Sequence, residues 1–167
     1  MTPTKETAKY AASIVREWLE EISFMDNGEQ DLERKVMGDI LTMKIQESNP
    51  ISDETLNAFI EDLEQEMLTQ TEDGYCEMSS IHIDYNPWGK LAELADKHGI
   101  HHSHFPIKTR MFVDENYVSV SKGYGAPNLF HYLLDNGKWL ITTLSGKDID
   151  KIKDHVVNGT ELEWTIR

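Results

Sequence analysis

The sequence predicts an α+β fold: an N-terminal layer of three amphipathic helices followed by a mostly antiparallel sheet of about six strands with two helices. Three observations lead there. Apolar residues recur at helical spacing through the first half, then switch from Cys76 onward to the two-residue alternation of strands. Short alternating runs are separated by turn signals, above all Asn136-Gly137, which is the pattern of hairpins. A content of 39% hydrophobic and 28% charged residues over 167 positions is ordinary for a globular chain that builds its own core. There is no repeat period and no Gly/Ser linker, so residues 1–75, an acidic helical region, and residues 76–167, an α+β region, read as parts of one compact domain.

The first helix is expected to open with Thr2 as N-cap and Pro3 as its first residue. It carries Ala11, Ile14, Val15, Trp18, Leu19 and Ile22 on one stripe and ends at Asp26-Asn27-Gly28. A second helix with Leu32, Val36, Ile40 and Met43 runs to Asn49-Pro50, because the residue before a proline leaves the helical region. In the third, Ser52 caps, Asp53 and Glu54 face the positive end of the dipole, and Ile51 staples onto Leu56. Its stripe is Leu56, Phe59, Ile60, Leu63 and Met67, closed by Asp73-Gly74.

Ile81, Ile83 and Tyr85 then alternate with Ser80, His82 and Asp84 as a strand with one apolar face. Asn86-Pro87 opens a short helix through Trp88, Leu91, Leu94 and Ala95, capped by Gly99. Strands follow at 107–114 and 117–122 around Asp114-Glu115-Asn116, and at 129–134 and 139–144 around Asn136-Gly137. Ser145 and Asp148 form a capping box for a helix through Val156, and Leu162, Trp164 and Ile166 alternate in a last strand. Trp18, Trp88, Trp139 and Trp164 all fall on apolar faces and are expected in the core.

Charge narrows the function classes. The formal charge is −14, and residues 1–75 carry nearly all of it, with 18 acids against 6 bases. No Lys or Arg lies between Lys44 and Lys90, and all seven histidines fall between His82 and His155. Such a field repels nucleic acid and anionic membrane and favours encounter with basic surfaces. No apolar run has the length of a membrane span, the N-terminus lacks the basic-then-apolar order of a signal peptide, and the lone Cys76 cannot form an internal disulfide. A reducing cytoplasm is the expected compartment.

The leading functional reading is a non-enzymatic interaction module that binds a basic protein surface, as an inhibitor or nucleic-acid mimic, with no cofactor and no direct nucleic-acid or membrane contact. Its partner-binding residues are Asp53, Glu54, Glu61, Asp62, Glu64, Glu66, Glu72 and Asp73. Like charges three and four apart repel along a helix, and a cationic partner would relieve that repulsion. The alternative is a small metal- or His-dependent hydrolase. It would use His82, which shares a strand face with Asp84, together with His98, His101, His102 and His104. The spacing matches no established ligand signature: there is no His-Glu-x-x-His and no paired Cys. A structural homo-oligomer is a third reading. Gly123-Tyr124-Gly125-Ala126-Pro127 is turn chemistry whose glycines would let a ligand approach the backbone.

Overall fold

The computed structural model describes residues 2–20, 51–123 and 125–143. Within them lie three α-helices, α1 (Lys5–Glu20), α2 (Asp53–Met67) and α3 (Gly89–Lys97). Five strands, β1 (Ser80–Ile83), β2 (Thr109–Val113), β3 (Tyr117–Ser121), β4 (Leu129–Leu133) and β5 (Trp139–Thr142), form one antiparallel sheet in the order β1-β2-β3-β4-β5. The architecture is α+β. The helix expected through Leu32–Met43, the helix after Ser145 and the strand at Leu162–Ile166 lie outside the described residues.

Helix α1 starts two residues later than the Thr2-Pro3 signal implies. Thr4 is its cap: Thr7 N donates to Thr4 Oγ1 at 3.2 Å while Thr4 N donates to Thr7 Oγ1 at 2.9 Å. This reciprocal pair satisfies a donor on each side of the first turn, which the Thr2-Pro3 pairing cannot do. Ala8, Ala11, Ala12, Val15, Trp18 and Leu19 are buried at three- and four-residue spacing, and the small alanines allow close approach to neighbouring elements. Arg16 ties α1 to α2, reaching Glu20 at 2.8 Å on its own helix and Asn57 Oδ1 at 2.7 Å across the gap.

Helix α2 begins where the sequence places it, with Thr55 N donating to Ser52 Oγ at 3.2 Å. It ends at Met67, a turn short of Asp73-Gly74. Leu68 N and Thr69 N bond back to Gln65 O and Glu66 O at 3.1 and 3.2 Å, tightening the last turn to three-residue bonds. Glu72 and Asp73 therefore sit on a separate turn, closed by Thr71 N to Tyr75 O at 2.8 Å and Gly74 N to Thr71 O at 2.9 Å.

In the sheet, Ile81 and Ile83 pair with Met111 and Thr109, and Met111 and Val113 pair with Val120 and Val118. These residues make the face that meets the helices, and one hydrophobic cluster runs from Ala8 and Phe59 through Ile81, Met111 and Val118. Burying this continuous apolar area is the main force holding helices to sheet, at roughly 25 cal/mol per Å². Tyr10 extends the contact to β4 and β5. It stacks on Trp139 with centroids 3.7 Å apart, and its hydroxyl lies 2.6 Å from His131 Nδ1. The opposite face carries Ser80, His82, Arg110, Phe112, Ser119 and Ser121 toward β1, and a smaller cluster of Tyr132, Leu134 and Leu140 with Tyr117 and Phe130 toward β5. The β4–β5 turn is the Asn-Gly hairpin: Gly137 has φ +82°, and Leu134 N donates to Lys138 O at 2.9 Å.

The expectation that every tryptophan is core fails at one described position. Trp18 is buried and Trp139 half-buried, but Trp88 is 70% exposed. Trp88 is the N-cap of α3 rather than a helical residue; its extended backbone (φ −117°, ψ 151°) takes the side chain off the stripe of Leu91, Leu94 and Ala95. Trp164 lies outside the described residues.

Candidate functional site

The eight predicted partner-binding acids do not form one patch. At about 100° per residue, the six on α2 spread over more than half of its circumference. Glu54 and Glu61 point directly away from the buried stripe of Leu56, Phe59, Leu63 and Met67, with Asp53 and Glu64 on one shoulder. Asp62 and Glu66 occupy the other shoulder, facing α3, and are engaged there. Lys97 Nζ donates to Asp62 Oδ2 at 2.8 Å, His98 Nε2 lies 2.9 Å from the same oxygen, and Lys90 Nζ is 3.8 Å from Glu66. Hydrogen bonds from Lys97 and then His98 hold the Asp62 carboxyl below its usual range, and the hydrogen bond to Asp62 in turn raises Lys97. Asp62 and Glu66 thus join two helices and are withdrawn from the outward surface. Asp53, Glu54, Glu61, Glu64, Glu72 and Asp73 make no ion pair among the described residues.

The histidines also separate. His98 packs edge-on against Phe59 at 5.8 Å while meeting Asp62. His101 caps a short 3₁₀ turn at His102–His104, accepting at Nδ1 from Ser103 N at 3.2 Å, and its ring lies 4.1 Å from that of His102. His82 and Asp84 belong to a different part of the surface, at the open end of β1. Among the described residues no three His, Cys, Asp or Glu side chains are grouped so as to hold a metal ion, so His82, Asp84, His101, His102 and His104 do not assemble as one ligand set. The physical reason is local: the His98 imidazole is turned onto Asp62 of α2 and that of His101 back onto its own backbone.

What surrounds His82 is more informative than the histidine loop. A cavity of about 410 Å³ is lined by His82, Ile83, Asp84, Lys108, Arg110, Ser121, Gly123, Gly125 and Ala126. His82 and Arg110 are cross-strand partners, and Arg110 is in turn opposite Ser121, so three side chains form a row across β1, β2 and β3. Lys108 is the single described non-glycine residue with positive φ (+53°), a costly conformation for a side chain of this size. It is held there by Asp84: Lys108 N donates to Asp84 O at 2.7 Å, and its ammonium meets the Asp84 carboxylate and lies 4.6 Å over the Tyr85 ring. The glycine segment is pinned at both ends, by Gly123 N to Thr109 Oγ1 at 3.3 Å and by Ser121 Oγ to Ala126 O at 3.0 Å. Tyr124 lies outside the described residues.

Arg110 is the exception in this network. Its guanidinium makes no hydrogen bond or ion pair among the described residues, although Asp84 lines the same cavity. The Asp84 carboxylate meets Lys108 and makes no hydrogen bond to His82, so the His82–Asp84 dyad of the kind expected for His-based catalysis is not formed. Sequence reasoning passed over Lys108 and Arg110, although the alternation of 107–114 places Arg110 opposite Met111 and therefore on the open face.

No protein-family model, curated protein or solved structure matches the chain. Among the described residues no helix is long and apolar enough to cross a membrane.

Proposed function

We propose that this protein is an interaction module whose α2 surface docks on a basic protein partner, an inhibitor-like role in which carboxylates occupy a groove lined by Lys and Arg. One observation supports it above the others. Asp53, Glu54, Glu61 and Glu64 stand clear of the core stripe and make no ion pair among the described residues, the nearby Arg16 being engaged with Glu20 and Asn57, while the cations of α3 neutralise only the opposite shoulder. The acidic surface that seeks a partner is therefore narrower than the sequence implies: these four residues, flanked by Glu72 and Asp73 on the following turn. Its mechanism is long-range steering followed by desolvation of a few carboxylates against cations.

The test is retention of basic proteins from native lysate by the wild-type chain and by a variant carrying Asp53→Asn, Glu54→Gln, Glu61→Gln and Glu64→Gln. A partner held at low salt, released at high salt and lost by the variant, with an unchanged unfolding temperature, is the expected result. Equal retention by both chains, or no salt dependence, rejects the proposal.

A further inference from the structure

The cavity around Arg110 has a neighbour with a different chemistry, and His82 lines both. The second cavity, about 360 Å³, is lined by Tyr75, Glu77, Met78, Trp88, Lys90 and Glu93 beside His82. Both volumes lie within the range of small-molecule sites, about 300–1,000 Å³. The second holds the two most exposed large apolar side chains described, Trp88 at 70% and Tyr75 at 57%. The Trp88 ring is 6.4 Å from the His82 ring, and His82 is opposite Arg110 in the β1–β2 register. Antiparallel partners are about 5 Å apart at Cα, so an exposed indole and an uncommitted guanidinium flank one imidazole within the length of a small ligand.

Each side selects a chemical group. Arg110 offers a fork of donors and no acceptor, suited to a phosphate or carboxylate, and His82 adds a ring nitrogen beside it. Lys108 contributes positive potential, although its own ammonium is shared with Asp84. The aromatic side offers stacking faces, and the Glu77 and Glu93 carboxylates that line it are acceptors suited to exocyclic amines, Lys90 in the same lining being shared between Glu93 and Glu66 at 3.8 Å each. A flat, amine-bearing ring joined to a single anionic group matches both halves. A polyanion does not, because the chain's charge of −14 opposes it over longer distances.

We propose that the paired cavities around His82 bind a nucleoside monophosphate, with the phosphate on Arg110 and the base against Trp88. The assignment is independent of the α2 partner surface. Calorimetric titration of the full chain with each of the four ribonucleoside 5′-monophosphates, the matching nucleosides, inorganic phosphate and a short single-stranded oligonucleotide tests it. At least one monophosphate is expected to bind saturably, more tightly than its nucleoside and than phosphate. Arg110→Gln should weaken it by about tenfold or more, through loss of the charged fork. Trp88→Ala should weaken it by about tenfold while leaving phosphate binding as it was. Both residues are exposed, so both variants should unfold at the wild-type temperature. Four silent titrations, a nucleoside or phosphate binding as well as the monophosphate, an oligonucleotide binding more tightly, or indifference to either substitution would overturn the assignment.

Discussion

Replacing Asp62 by Asn tests whether α3 is docked on α2 by charge. Asp62 Oδ2 receives Lys97 Nζ at 2.8 Å and lies 2.9 Å from His98 Nε2, and the Asp62 and His98 side chains are only 24% and 16% exposed. The amide keeps an acceptor in place, so the substitution removes the charge rather than the geometry. Hydrogen bonds to a charged group contribute about 1.5–3 kcal/mol against about 0.5–1.5 for neutral ones. The contact with Lys97, which is 66% exposed, is screened by water and adds little. The loss at neutral pH should therefore be about 1 kcal/mol, or roughly 2–4 °C in unfolding temperature for a chain of this size.

The pH dependence has a defined sign. The folded-state pKa of Asp62 is lowered, first by Lys97 and then by His98, so its contribution is complete above the unfolded carboxylate value and disappears as pH falls through the lowered one. Urea unfolding of wild type and Asp62→Asn from neutral pH downward should show two stabilities that converge below about pH 4. Glu61→Gln, one residue away but fully outward, should stay within about 0.5 kcal/mol of wild type. If Asp62→Asn is as stable as wild type at neutral pH, or its deficit persists undiminished in acid, the carboxylate does not join the helices.

Two further outcomes follow from burial. Phe59 is fully buried, edge-on to both Phe105 and His98, so Phe59→Ala should cost about 3–5 kcal/mol in denaturant unfolding; a loss below about 1 kcal/mol would place the core elsewhere. Cys76 is buried, its Sγ lies 3.1 Å from Met67 O, and burial raises its thiol above the usual value. The folded protein at mildly alkaline pH should therefore resist alkylation that the urea-unfolded chain undergoes readily, and equal rates in a mass-spectrometric time course would contradict its placement.

Sequence alone determined most of the described elements. Periodicity marked α1 and α2, alternation marked β1, turn signals bounded the strands of the two hairpins, and Ser52, Asn136 and Gly137 set a helix start and a hairpin, because these signals act within a few residues and need no distant partner. Its errors of extent were also local: the Thr4–Thr7 reciprocal cap and the early close of α2 at Met67 depend on hydrogen bonds that composition does not rank. Tertiary structure decided which charges are left over. Asp62 meets Lys97 and His98 from 35 and 36 positions away, and Arg110 stands beside His82 only because β2 pairs with β1 in that register. A carboxylate or guanidinium looks alike in sequence whether solvent or a neighbour satisfies it. Folding separates the two cases, since pairing depends on which side chains from distant segments come within about 4 Å of one another.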